Sequence, residues 1–290
     1  MKIFISGASG LVGSNCLKHF TEQGVEAIGT YFSYALPGIF PFNTLDINDA
    51  NNFDVKAFAP NIIVHCGAMT HVDACETAVQ ESYNKTVQST IHLIALAKEL
   101  NAKLVYLSTD YVFDGKHGPY SEEDAVHPLS IYAKHKLEAE QAVLQANTNN
   151  LVLRITNVYG KEARNKNFVS RIIEQCQNKQ ELTLNLPQDQ YATPVNAWDV
   201  ARAMYVLLKD NQSGVFHIAS TDWMNRVELA TTVLKYFPEA KYSMKGILTK
   251  DLNQPADRPL LGGLLKTKFS NLYPDFMFSN VDDFVKDALQ

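Results

Sequence analysis

The chain has 290 residues, 46 % hydrophobic and 20 % charged, with 26 lysines and arginines against 31 acids for a net charge of −5. That balance supports a packed core and excludes a disordered chain. Without a basic cluster, a nucleic-acid partner is not expected. No apolar run approaches the roughly 18 residues of a membrane-crossing helix, so no membrane partner is expected either.

The opening MKIFISGASG reaches glycine after only a few apolar residues, too few for a secretory signal. Cys16, Cys66, Cys75 and Cys176 form no CxxC pair and no ligand-spaced set with histidine. A cytoplasmic protein without a metal is the expectation.

Lys2–Ser6 is the first strand predicted, a nearly continuous apolar run. It leads into Gly7-Ala-Ser-Gly10-Leu-Val-Gly13 and a helical pattern over Ser14–Gln23. Glycines between a first strand and a first helix let backbone N–H groups approach a pyrophosphate at the helix's positive end, which points to a dinucleotide. Val25–Thr30 is the second strand. An acid at its end would bond a ribose 2′-hydroxyl and repel a 2′-phosphate. Tyr31-Phe32-Ser33-Tyr34 offers none, and no arginine precedes Arg154. The hydroxyls of Thr30, Tyr31 and Ser33 suit NADPH or NADH, with a lean to NADPH because nothing repels its phosphate. Asp46, in Leu45-Asp46-Ile47, is placed to meet the adenine.

Further along, strands Asn61–His65, Lys103–Ser108 and Leu151–Ile155 alternate with helical patterns over Ala78–Leu100 and Ile131–Gln145. Such alternation implies right-handed crossovers and an α/β fold built on a doubly wound parallel sheet. Beyond about Tyr159 prolines punctuate shorter elements, although Gly214–Ser220 reads as a strand able to rejoin the sheet. The expected division is a cofactor-binding domain of residues 1–157 plus about 195–220. A smaller C-terminal α/β substrate lobe would hold 158–194 and 221–290. Trp198, Trp223 and the aromatics of 273–278 are expected in that lobe's core.

Tyr132-Ala-Lys-His-Lys136 sets a phenol and an ammonium at i and i+4 on one helix face. A phenol of reference pKa near 10 is a poor acid–base catalyst at neutral pH. A lysine cation one turn away is expected to lower it. Ser108-Thr109-Asp110 ends the preceding strand at the carboxyl edge, where open α/β sheets bind ligands, and Thr109 can donate to a carbonyl oxygen.

These residues resemble the extended short-chain dehydrogenase/reductases, and within them the dTDP-4-dehydrorhamnose reductase (RmlD-like) branch. STDYVFDG at 108–115, the stretch through Tyr132 to Glu140, RITNVYG at 154–160, and Asp189-Gln190, Thr193-Pro194 and Arg258-Pro259 stand in the branch's order. The resemblance implies a Rossmann-type fold and an NAD(P)H-dependent reductase of a 4-keto group on a nucleotide-activated deoxysugar. It implies Thr109, Tyr132 and Lys136 as catalytic. Gly7, Ser9, Gly10, Leu11, Val12, Gly13, Asp46, Ile47, Cys66, Gly67, Ala68 and Ser108 would line the cofactor groove. Asp110, Asn157, Phe168, Gln190 and Arg258 would approach the nucleotide sugar, and a homodimer is an assembly the resemblance allows.

Four departures from the branch cover five positions. Asn157 stands where a tryptophan packs against the sugar, Leu261-Gly262 where an Asn-Ser pair is usual, Thr86 for an asparagine and Ala133 for a glycine. Two alternatives stay open: an epimerase or dehydratase, against which Tyr111 rather than Glu follows Asp110, and an NADP-binding regulatory subunit resembling that of methionine adenosyltransferase.

Overall fold

Strand and helix alternate through the first half of the computed structural model, which describes residues 1–289. The order is β1 (Lys2–Ser6), α1 (Leu11–Glu22), β2 (Glu26–Tyr31), β3 (Phe40–Pro41), α2 (Val55–Phe58) and β4 (Ile62–His65). Next come α3 (Val72–Thr77), α4 (Val79–Tyr83), a π-helical turn at Asn84–Gln88, α5 (Ser89–Glu99), β5 (Lys103–Thr109), α6 (Ile131–Ala146) and β6 (Leu151–Ile155). The second half holds α7 (Phe168–Gln177), β7 (Leu182–Pro187), β8 (Tyr191–Ala192), α8 (Ala197–Lys209), β9 (Gly214–His217) and β10 (Met224–Asn225). It closes with α9 (Arg226–Leu234), β11 (Tyr242–Ile247), α10 (Thr267–Leu272) and α11 (Val281–Leu289).

Seven parallel strands pair in the order β3-β2-β1-β4-β5-β6-β9, a Rossmann-type doubly wound sheet. Alternate residues of each strand point to opposite faces. Ile3, Ile5, Val105, Leu107, Leu151 and Leu153 meet Phe20 of α1 and Met204 and Leu207 of α8. Phe4, Ile63, Leu104, Tyr106 and Val152 meet Leu93 and Leu96 of α5 and Val143 of α6. Burial on both faces explains why these strands read as unbroken apolar runs. The order reverses beside β1, so a crevice opens at the carboxyl ends of β1 and β4. The expected strand after Gly214 does rejoin the sheet, beside β6.

A second core forms away from the sheet, from α7, β7, α9 and α11. Around it β7 and β11 pair in parallel, and β8 and β10 antiparallel.

Two expectations are corrected. The helix predicted over Ala78–Leu100 is broken into α4, the π turn and α5. Tyr83, Asn84, Gln88 and Ser89 all keep right-handed helical backbone angles, so the helical path runs on through the turn and only its hydrogen-bond pattern changes. The aromatics of 273–278 do not fill the smaller lobe: Phe276 and Phe278 gather around Phe269 and pack on the main sheet's core. Trp198 stacks edge-on to His19 of α1 at 5.1 Å, while Trp223 lies 43 % exposed against Tyr191.

One buried ion pair ties α6 to the sheet. Arg154 of β6 donates Nε to Glu140 Oε2 (3.1 Å) and Nη2 to Glu140 Oε1 (2.5 Å), with both side chains almost wholly enclosed. Removing one member leaves the other charge buried alone. Arg154→Met should therefore lose about 3–5 kcal/mol of stability in urea unfolding; a loss below about 1 kcal/mol would show that α6 is held by its apolar face instead.

Candidate active site

The turn after β1 is built by close approach. Gly7 lies at φ +81°, and a Cβ there would come within 3.0 Å of the Gly67 nitrogen. A Cβ on Gly13 would run into the Gly7 carbonyl. The turn is pinned by Ala8 N–H to the Thr30 carbonyl (2.7 Å) and Gly10 N–H to the Gly7 carbonyl (3.1 Å). Gly10 caps α1 without a side chain, so the first amides of the helix face the cleft as open donors.

Opposite stands α6, started by Ser130, whose hydroxyl accepts from Ala133 N–H (3.3 Å). Tyr132 and Lys136 share the face turned to β5. The Thr109 side chain, at the end of β5, hydrogen-bonds Tyr132, and Tyr111 meets the Tyr132 ring edge-on at 5.8 Å. Lys136 donates to the Leu107 carbonyl and lies 4.1 Å above the Tyr106 ring.

The electrostatics correct one expectation. Burial pushes the Tyr132 phenol above its ordinary value; the Thr109 hydrogen bond opposes this, and burial outweighs any lowering by Lys136. Lys136 is itself lowered to about 7 by burial, against the pull of Glu140 and Cys66. The i, i+4 spacing brings the two side chains to one face, but the ammonium is spent on a carbonyl and a ring. Burial also raises Asp110 to about 6, hydrogen bonds from Thr156, Gly263 and Thr109 opposing. Cys66 is pushed up to about 12 and stays a thiol.

Gly7, Ser9, Gly10, Leu11, Val12, Gly13, Cys66, Gly67, Ala68 and Ser108 line one cleft with Thr109, Asp110, Tyr132, Lys136 and Asn157. Its volume is about 840 Å³, within the range of roughly 300–1,000 Å³ typical of cofactor clefts. The Ser108 hydroxyl at the end of β5 is buried without a hydrogen-bond partner, an open polar group toward a ligand. Glycine cradle, free helix amides and this hydroxyl together fit a dinucleotide.

Four residues expected at the cofactor lie off the cleft lining. Thr30 turns its hydroxyl to the Ile5 carbonyl (3.1 Å) and Tyr31 pairs with Pro41, because β2 runs one residue further than predicted. Asp46 accepts from the Asn48 N–H (3.2 Å), and Ile47 packs on the core under α5. Ser33, expected there, does line that wall, together with Phe32, Tyr34, Thr44 and Leu45.

At the end of the cleft beyond Tyr132, Asn157 follows β6 at φ +41°, and its Oδ1 accepts from Arg226 Nη2 (2.6 Å). Phe168 is off the lining, stacked beneath Arg226 at 5.0 Å. Gln190 borders a small side pocket of about 20 Å³ with Tyr111, Asn157 and Arg226. Arg258 lies on neither: it pairs with Asp73 (2.8 Å) and donates to the Ala256 carbonyl (2.7 Å). Two departures from the family pattern have local reasons. Gly262 passes so close to Tyr191 and Asp110 that a Cβ would sit 3.0 and 3.1 Å from their oxygens. Thr86, in the π turn, accepts from Met69 N–H at 3.4 Å.

Sequence reasoning missed Lys85, Tyr111, Arg164, Lys166 and Arg226, all on the cleft. Arg226 follows Asn225, which caps α9 in a capping box, a pattern that marks the helix start and not the cleft.

The chain belongs to the family described as RmlD substrate binding domain, which matches residues 1–282. Methionine adenosyltransferase 2 subunit beta of Bos taurus is 33 % identical over 241 residues, 81 % of this chain and 72 % of that one. The "Probable low-salt glycan biosynthesis reductase Agl14" of Haloferax volcanii is 30 % identical over 266 residues, 89 % of this chain and 88 % of its own. The crystal structure of a dTDP-4-dehydrorhamnose reductase from Clostridium acetobutylicum superposes with a TM-score of 0.83 at 27 % identity, covering 100 % of both chains. Among the described residues, no helix is long and apolar enough to cross a membrane.

Between about pH 7 and the ordinary lysine value near 10.5, the unfolded chain keeps a proton on Lys136 that the folded chain has lost. Stability from this group therefore rises with pH through the lower part of that window. Urea unfolding from pH 7 to 8.5 should show a rise in the ligand-free protein that Lys136→Met abolishes; equal slopes would place the titration elsewhere.

Proposed function

We propose that this protein is an NAD(P)H-dependent reductase of a 4-keto group on a nucleotide-activated deoxysugar. The observation that carries it is the meeting of Thr109, Tyr132 and Lys136 in the cleft formed by the glycine turn. Residues 1–157 with about 195–220 would form most of the cofactor site, and 158–194 with 221–290 most of the sugar-nucleotide site, apart from the segment around Phe269–Phe278 that packs on the main sheet.

When bound, the cofactor supplies the hydride that adds to the carbonyl carbon. Thr109 donates to the carbonyl oxygen and polarises it. Tyr132, kept protonated by burial, delivers its proton to the alkoxide as charge develops there. Lys136 holds the nicotinamide ribose, and the charge it retains is set by how fully a ligand excludes water. Arg226 lines the cleft with no carboxylate within 4.0 Å among the described residues, so its guanidinium serves the substrate's diphosphate.

Nicotinamide oxidation on dTDP-4-dehydro-L-rhamnose tests the reading. Tyr132→Phe should lower kcat at least about 100-fold while leaving cofactor affinity unchanged; undiminished turnover would remove Tyr132 from the mechanism. Arg226→Gln should raise KM for the sugar nucleotide about 10- to 100-fold with kcat little changed, as expected for a charged hydrogen bond. An unchanged KM would free Arg226 from the diphosphate.

A second reading is supported by the likeness to methionine adenosyltransferase 2 subunit beta. In it the cleft binds the nucleotide without turnover, and the chain attaches to a methionine adenosyltransferase catalytic subunit. Cofactor binding without turnover, together with co-elution with such a subunit, would favour it.

A further inference from the structure

The cofactor wall at the end of β2 carries no charge of its own. Phe32, Ser33 and Tyr34 line it, with neither an acid to refuse a 2′-phosphate nor a base to hold one. The charge arrives from elsewhere. Arg164, in the loop between β6 and α7, lines the same cleft and places its guanidinium 5.0 Å from the centre of the Tyr34 ring.

Three observations make this arginine an anion site. Its Nε is buried without a hydrogen-bond partner, and no carboxylate lies within 4.0 Å of it among the described residues. The one acid close by in its loop, Glu162, is committed to Asn167, accepting from its N–H (2.8 Å) and its Nδ2 (3.1 Å). The loop is also held in place. Asn15 of α1 donates to the Lys161 carbonyl (3.0 Å), and Asn167 ties the far end to the Gly160 carbonyl (2.9 Å) while capping α7. A guanidinium stacked on an aromatic face keeps its edge N–H groups free for the paired acceptor oxygens of a phosphate.

In this fold the adenosine ribose lies at the carboxyl end of β2. We propose that Arg164, stacked on Tyr34, clasps the 2′-phosphate of NADPH and so sets the preference for NADPH over NADH. The inference rests on the dinucleotide reading of the cleft and concerns only which dinucleotide is taken. Arg164 approaches Tyr34 from the loop after β6, across the cleft from β2.

Binding measured by nicotinamide fluorescence on the full chain tests the clasp without any sugar substrate. Wild type should bind NADPH at least about tenfold more tightly than NADH. Arg164→Gln should weaken NADPH about 10- to 100-fold and leave NADH within about twofold, which also shows that the variant is folded. Tyr34→Phe, keeping the ring, should retain the preference, and Tyr34→Ala should reduce it. In competition, 2′-AMP should displace NADPH from wild type better than 5′-AMP, and lose that advantage in Arg164→Gln. Equal loss for both dinucleotides would assign Arg164 to the shared pyrophosphate and overturn the proposal, as would no change for either. Failure of wild type to bind either dinucleotide would overturn the reading of the cleft itself.

Discussion

Everything the site does depends on where α6 lies, and α6 is fixed by an ion pair buried against the sheet. Arg154 and Glu140 are almost completely enclosed, and together they lock β6 to the helix that carries Tyr132 and Lys136. The arginine continues the connection: its guanidinium stacks over Phe113 at 5.1 Å, and Nη1 meets His217 Nε2 of β9 at 3.3 Å. A charge pair at this depth tolerates little displacement, because loosening it exposes each ion to a low dielectric without compensation. It therefore fixes the spacing of β6, β9 and the helix that carries Tyr132 and Lys136.

Around that frame the cleft divides into two electrostatic ends. The glycine turn and the amides of α1 give a neutral, donor-rich cradle for a pyrophosphate. Beyond Tyr132 the wall becomes cationic through Arg226, which donates to Asn157 and faces Asp110, whose carboxyl burial raises to about 6. Arg164 and Lys166 add positive charge on the outer rim. A chain of net charge −5 thus turns several cations inward to one cleft, suiting ligands that carry phosphates at more than one point.

The ligand-free electrostatics place Tyr132 in its protonated form and bring Lys136 close to neutrality, both through burial. The proposed reduction needs a proton donor at the alkoxide, and the raised phenol would meet that requirement. The lysine's proton is the adjustable quantity. The Leu107 carbonyl and the Tyr106 ring hold it now, and a polyhydroxylated ligand in the same space would compete for it.

The local sequence determined six of the seven strands of the main sheet and their parallel sense, the glycine turn and the Thr109, Tyr132 and Lys136 set, though not β3 or the order of the strands. Each of these is written in periodicity or fixed spacing, and backbone sterics and helical geometry turn such spacing directly into placement. Contacts between distant segments were illegible, and only the tertiary structure decided them. Thr30, with its hydroxyl, looked available until the sheet claimed it, and Arg258 looked like a substrate ligand until Asp73 paired with it. Arg164 and Arg226 carry no motif of their own. They become cleft residues because a loop crosses from β6 toward the β2 rim and because α9 starts beside Asn157. The i, i+4 spacing could say that Lys136 shares a face with Tyr132; how far burial would shift both groups depended on the packed surroundings, which no local pattern encodes.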